Sequence, residues 1–329
     1  MRSDSNVGRR LAILGAGAVG RSVAELAGEY GHSVVAITDS SDAAVDDSGI
    51  DVSRTFARYD RDEPLGSAVP EAIFESAYDV LIEATPTTLD DAEPGFTHAR
   101  RALETDRHAV LANKGPVAER YAELRDFERE SEGSLRFEAT VGGAIPVLST
   151  IETYSPEAVS TVRGVLNGTA NFVLSRMAAE GLDYDHVLAE AQDLGVAEAD
   201  PTFDVDGTDA ALKCVIVANV LADGGFSLED ATVEGIEAIP QSALDLATAD
   251  GQTIRLIGEA SRDGVRVAPR LVPEHGPLSV TGTRNIVQFE TRHAGTLHNS
   301  GPGAGGPETA SAVLADVDRL PSRVGVDGG

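Results

Sequence analysis

The stretch RLAILGAGAVGRSVAELAGEYGHSVVAITD, residues 10–39, decides how the first half of the chain folds. A short apolar run is followed by three glycines in close order, an amphipathic segment and a second apolar run, which reads as strand, turn, helix, strand. Gly15, Gly17 and Gly20 stand in the G-x-G-x-x-G spacing. In that spacing the first glycine permits the tight turn, the second lets a pyrophosphate approach the backbone, and the third lets the helix pack close to the sheet. The helix N-terminus then faces the phosphates. Asp39 follows at the end of the second strand, 19 residues beyond Gly20, where a carboxylate suits ribose hydroxyls and repels a 2′-phosphate. The expectation is a dinucleotide site with a lean toward NAD, which Arg54 or Arg58 would reverse by folding back over Asp39.

Outward from this unit, apolar runs recur at YDVLIEAT (78–85), HAVLAN (108–113) and SLRFEATV (134–141), with helical patterns around 92–105 and 116–131. Such alternation predicts a parallel sheet with helices on both faces. After about residue 145 the pattern changes. STVRGVLNG reads as a strand, TANFVLSRMAAEG as a helix stopped by Gly181, YDHVLAEAQDLG as a second helix and DAALKCVIVANVLAD as a third. IRLIGEAS, VRVAPRLV and IVQFETR read as strands, and NSGPGAGG (299–306) as a loop before a last helix. The expected organisation is a nucleotide-binding domain over 1–145, an α+β catalytic and dimerisation domain over 146–298, and a C-terminal loop and helix over 299–329 returning to the first.

Composition narrows the function. With 54 acidic against 26 basic residues the net charge is −28, which repels nucleic acid and anionic membranes, so neither is an expected partner. The charge reads either as a GC-rich gene's acidic product or as adaptation to high salt, and the second is the expectation. The longest apolar runs are too short for a membrane span. The polar MRSDSNVGRR start lacks a signal sequence, and the single cysteine, Cys214, fits a reducing compartment, so a cytoplasmic location is expected.

Of the 26 cations only two are lysines, Lys114 and Lys213. Lys213 closes EADPTFDVDGTDAALK (198–213), which carries Glu198, Asp200, Asp204, Asp206 and Asp209 and runs directly into the apolar CVIVANVLA. Asp209 and Lys213 are i and i+4 and share a helix face. An exposed ion pair is worth under about 1 kcal/mol and would use arginine in this chain. A lysine at the edge of a buried helix can instead carry a proton. Cys214 sits inside the apolar run without a thiolate-activating neighbour, which argues against a cysteine nucleophile. His293 and His298 lack partner ligands and read as structural.

GAGAVG, ANK (112–114), EATVGGAIP (138–146), GVLNGTANF (164–172) and EADPTFDVDGTDAALK together resemble the homoserine dehydrogenase family, from about residue 10 to the final GPGAGGPETASAV. The resemblance implies an α/β, Rossmann-type domain with a second α+β domain, and NAD(P)-dependent interconversion of L-aspartate 4-semialdehyde and L-homoserine, on the route to threonine and methionine. It places Glu198, Asp204 and Asp209 at the substrate, Lys213 as proton donor, and Lys114 near nicotinamide and substrate. It places the cofactor at Gly15, Gly17, Ala18, Val19, Gly20, Asp39, Thr85, Lys114, Gly195 and Gly303. It also implies a monovalent cation such as sodium at Glu138 and the main-chain oxygens of Val141, Gly143 and Ile145. A strand-to-helix turn needing two glycines explains that last composition equally well. A homodimer is expected. The chain stops at VGVDGG, without the regulatory domain that many members carry, so feedback by threonine through such a domain is not expected. The rival readings are a non-catalytic dinucleotide sensor, which would not need the lysine-bearing helix, and another amino-acid-linked dehydrogenase.

Overall fold

The computed structural model describes residues 8–321, which form two compact units, one of residues 8–139 with 305–321 and one of residues 140–304. In the first, β1 (Arg10–Leu14), α1 (Ala18–Leu26), β2 (Ser33–Thr38), β3 (Ala43–Val45), α2 (Val52–Tyr59), β4 (Val80–Glu83), α3 (Gly95–Glu104), β5 (His108–Leu111), α4 (Lys114–Glu119), α5 (Tyr121–Glu130) and β6 (Leu135–Arg136) follow in order. The strands lie as β3-β2-β1-β4-β5-β6, all parallel except the β2–β3 pair. Their side chains are apolar because both faces are covered. Leu11, Ile13, Ile37, Val80, Ile82 and Val110 are buried together with Val23 of α1 and Phe56 of α2. Strand order reverses between β1 and β4, and in such sheets the crevice at the carboxyl ends of those strands is the ligand position.

In the second unit come α6 (Ala139–Gly142, which begins on the last residue of the first unit), α7 (Leu148–Tyr154), β7 (Val159–Val165), α8 (Gly168–Glu180), α9 (Tyr184–Asp193), α10 (Thr202–Val205), α11 (Thr208–Ala222), β8 (Ala231–Val233), α12 (Gln241–Ala249), β9 (Gln252–Ser261), β10 (Gly264–Pro273), β11 (Arg284–Thr291) and β12 (Gly295–Pro302). The sheet order is β12-β11-β7-β9-β10-β8, antiparallel except for β8 beside β10. Helices α8, α11 and α12 pack on β9. The last helix, α13 (Gly306–Arg319), belongs to the first unit, where Val313, Leu314 and Val317 join its core.

Several expectations need correction. SLRFEATV pairs with β5 only over Leu135–Arg136, and Ala139–Gly142 turns helical. The main chain leaves the ladder because the Glu138 N–H finds another partner, the Asp316 carboxylate of α13 at 2.8 Å. The stretch 299–306 is not wholly a loop, since β12 continues the pairing with β11 to Pro302. The two compact units divide at 139/140 and 304/305. The pattern over 116–131 is two helices, divided at Arg120, which leaves helical backbone angles (φ −127°, ψ 28°). Among the described residues no helix is long and apolar enough to cross a membrane.

Candidate active site

Helix α11 explains its own polar residues. Asp209 through Asn219 are buried without interruption. Asn219 ties down the following turn, exchanging hydrogen bonds with the Phe226 main chain at 2.9 Å each way. That leaves Lys213 and Asp209, each 7% exposed. The Lys213 ammonium donates to Asp209 Oδ2 and to the Leu166 carbonyl, both at 2.7 Å. Two of its three donors are thus met by protein. The third N–H is the direction in which an oxygen of a substrate would be met.

Asp204, on α10, joins this cluster through a residue that sequence reasoning passed over. Asn167 Nδ2 donates to Asp204 Oδ1 at 2.6 Å and to Asp209 Oδ2 at 2.9 Å. Its Oδ1 accepts the Ala170 N–H at 2.8 Å, so the same side chain caps α8. The only sequence signal was its place in GVLNGTANF, directly after the strand that ends beside Lys213. Glu198 and Gly195 lie on the exposed segment after α9. The Glu198 main-chain carbonyl accepts from Gln192 Nε2 at 3.2 Å. Cys214 is buried and its thiol is pushed up to about 12 by that burial, against the lowering effect of Lys213. His298 reaches Gln288 Oε1 at 3.1 Å, within the β11–β12 ladder, and His293 is exposed.

In the first unit the glycine turn is cut to shape. Gly15 has φ +102°, and a Cβ there would fall 2.5 Å from the Ala84 carbonyl oxygen. A Cβ at Gly20 would fall 1.8 Å from the Gly15 carbonyl oxygen, so the helix packs where only glycine fits. A Cβ at Gly17 meets nothing within 4 Å, so the space over the turn is open. Helix α1 starts at Ala18 and Val19 with no side-chain cap and no acidic residue in its first turn. Most other helices also lack a side-chain cap, α2, α4, α8 and α9 being the exceptions, so the start of α1 is set apart by its glycine turn. Uncapped N–H groups behind an open glycine turn fit a pyrophosphate.

Asp39 follows β2, and its Oδ1 accepts the Ser41 N–H at 2.7 Å and the Asp42 N–H at 3.0 Å. Burial pushes its carboxyl upward, but these bonds and the Tyr59 hydroxyl outweigh it and hold it below the usual range. Arg58 pairs instead with Glu63 at 3.5 Å. Thr85, and Asn113 just before Lys114, are tied to one buried carboxylate that the sequence did not single out. Glu83 is fully buried and takes bonds from the Thr85 N–H at 3.0 Å, the Thr85 hydroxyl and His98 Nδ1 at 2.6 Å. Asn113 Nδ2 donates to Thr85 Oγ1 and the Pro86 carbonyl, both at 3.2 Å, while its Oδ1 caps α4, whose first residue is Lys114.

Among the described residues no group of three or more His, Cys, Asp or Glu side chains gathers to hold a metal. A cation at the expected place would rest on main-chain oxygens and one carboxylate, a donor set suited to a hard ion. Glu138 is buried, as are Val141, Gly143 and Ile145. Gly143 has φ +56°, and its missing Cβ would fall 2.6 Å from the Gly303 carbonyl. Gly303 in turn is hemmed by Asn285, whose Nδ2 would lie 1.9 Å from a Cβ there, so this glycine is explained by packing.

An open glycine turn before an uncapped helix and a buried lysine held by a carboxylate are both compatible with an NAD(P)-dependent oxidoreductase. Comparison with known proteins agrees and narrows the class. The homoserine dehydrogenase family model matches residues 146–317, and that of the glutamate/leucine/phenylalanine/valine dehydrogenases matches residues 1–83. A homoserine dehydrogenase of Methanocaldococcus jannaschii is 40% identical over 93% of this chain and 96% of its own length. An NAD(+)-dependent homoserine dehydrogenase of Pseudomonas canavaninivorans is 35% identical over 94% and 95%. The crystal structure of a putative homoserine dehydrogenase from Archaeoglobus fulgidus superposes with TM-score 0.86 at 40% identity, covering 94% of this chain and 98% of that one. A hyperthermophilic archaeal homoserine dehydrogenase in complex with NADPH gives 0.83 at 27%, covering 95% and 97%. The chain belongs to the homoserine dehydrogenase family.

Proposed function

We propose that the chain interconverts L-homoserine and L-aspartate 4-semialdehyde with NAD(P)(H), as an enzyme of amino-acid biosynthesis. The observation that carries this is the buried Lys213–Asp209 pair, with Asp204 brought alongside. The nicotinamide cofactor supplies the hydride for aldehyde reduction and receives it in alcohol oxidation. Negative charge then grows on the aldehyde oxygen, and the Lys213 ammonium stabilises and protonates it. In the other direction neutral Lys213 takes the hydroxyl proton. Asp209 holds Nζ in place and stabilises its charged form. Asp204, Asp209 and Glu198 offer carboxylates to the substrate ammonium, an ionic hydrogen bond that a simple alcohol cannot make. Lys114 is assigned to the nicotinamide and substrate side.

For the cofactor we propose NAD(H) over NADP(H). Its support is the fixed, ionised Asp39 after β2 and the engagement of Arg58 with Glu63. The uncapped start of α1 would take the pyrophosphate, with Thr85, Gly195 and Gly303 as further contacts. A monovalent cation such as sodium at Glu138, Val141, Gly143 and Ile145 is supported by the oxygen-only donor set. A homodimer rests on the family resemblance, a cytoplasmic location on the lone thiol, and a high-salt habitat on the net charge of −28.

The test is a panel of hydroxy amino acids, with NADH and NADPH absorbance followed for each. Turnover confined to homoserine, and to the semialdehyde in reverse, is the expected result. Equal turnover of an unrelated hydroxy amino acid would replace the reading with another amino-acid-linked dehydrogenase.

A further inference from the structure

Asn167 is 5% exposed and uses both ends of its amide. The oxygen caps α8, a job that serine or aspartate does as well. The nitrogen has two N–H bonds, and both end on carboxylates, Asp204 Oδ1 at 2.6 Å and Asp209 Oδ2 at 2.9 Å. The second of these oxygens is the one that also receives Lys213 Nζ at 2.7 Å. We infer that Asn167 is a positioning residue for the reaction: it bridges Asp204 and Asp209, and so sets the carboxylate that sets the proton-carrying lysine. The inference rests on the proposed reading of the Lys213 cluster.

The amide suits the place for a physical reason. Two carboxylates drawn to one nitrogen repel each other, and in a buried site that repulsion would either separate them or protonate one. Two N–H donors offset it and hold both oxygens in fixed directions. An arginine or lysine in the same place would also offset it, but would compete with the substrate's ammonium for the same acids. A neutral double donor holds both acids without adding a charge of its own, and leaves theirs for Lys213 and the substrate. A cap alone needs none of this, because it uses only the oxygen.

Asn167→Ser and Asn167→Asp separate the two roles, since each keeps a capping oxygen and neither provides a neutral double donor. For Asn167→Ser, kcat/KM for homoserine should fall about 10- to 100-fold, the worth of a hydrogen bond to a charged group. The NAD(H) dissociation constant should stay near wild type, and the melting midpoint should fall modestly as the two carboxylates lose their shared donor. In Asn167→Asp an added carboxylate beside Asp209 favours the charged form of Lys213. The acid limb of the pH profile for homoserine oxidation should then move to higher pH, which a capping role would not cause. If both variants keep wild-type kcat/KM and pH profile while wild type oxidises homoserine, the inference is overturned and the proposed reaction stands. A folded wild-type chain that binds NAD(H) but leaves homoserine unchanged overturns both.

Discussion

The Lys213 ammonium lies 2.7 Å from Asp209 Oδ2, one turn earlier on the same buried helix, and a carbonyl from the end of β7 closes the other side. Were this pair only structural, its burial would be hard to justify, because desolvating two charges costs as much as their attraction returns. The pair is better understood as a fixed ammonium. Lys213→Arg tests that directly. Arginine keeps the charge that Asp209 and Leu166 hold, but does not release a proton at any working pH. Turnover of homoserine should fall by roughly 10² to 10⁴-fold, the usual share of general acid–base catalysis. The NAD(H) dissociation constant should not change. Near-normal kcat in the arginine variant would remove Lys213 from proton transfer and pass the role to Lys114.

Asp39 carries the proposed cofactor preference. Its carboxylate is fixed by the Ser41 and Asp42 N–H groups and is held ionised, so a 2′-phosphate beside it would meet a full negative charge. We expect kcat/KM with NAD(H) to equal or exceed that with NADP(H), and Asp39→Ser to shift the ratio toward NADP(H). A hundredfold preference of the unmutated chain for NADP(H) would sink this expectation.

Cys214 predicts an insensitivity. With the thiol buried and pushed up to about 12, hardly any thiolate exists at neutral pH to react. Iodoacetamide should leave the folded enzyme fully active, and Cys214→Ala should keep kcat at a stability cost of about 1 kcal/mol. Rapid inactivation by alkylation, with the far-UV spectrum unchanged, would mean that the thiol is exposed or activated after all.

What could be read in advance follows from the range of the interactions. The glycine turn was legible because its constraint is local: Gly15 and Gly20 face backbone within the same motif or its neighbouring strand. Lys213 and Asp209 were legible because i and i+4 fix their meeting and lysine is scarce in this chain. Asn167 was not, because its partners lie 37 and 42 residues further along. Glu83 looked like the polar end of an apolar run, yet it gathers Thr85, His98 and Asn113 from three segments. The short strands β3 and β8 carry no alternation long enough to detect. The end of β12 was hidden by glycine and proline, which signal turns but are tolerated at a sheet edge.

The charge makes the last prediction. Surface ion pairs such as Arg21–Asp60 and Arg176–Glu180 are weakened by salt, which argues for lower stability as salt is added. The count decides against that. Even if each of the 26 cations neutralised one of the 54 acids, 28 carboxylates would remain without a partner of opposite charge. Exposed pairs contribute at most about 1 kcal/mol each, whereas repulsion acts among all the unmatched acids at once and favours any expanded state. At ~1 M ionic strength the screening length falls to about 3 Å, shorter than typical surface charge spacings. The melting midpoint should therefore rise steadily with KCl, and activity should be lost on dialysis to low salt and return when salt is restored. Replacing KCl by sucrose at matched osmolarity separates screening from exclusion, since sucrose should not reproduce the rescue by salt. A midpoint indifferent to KCl from millimolar to molar concentration would show that the acidic surface is a matter of composition alone.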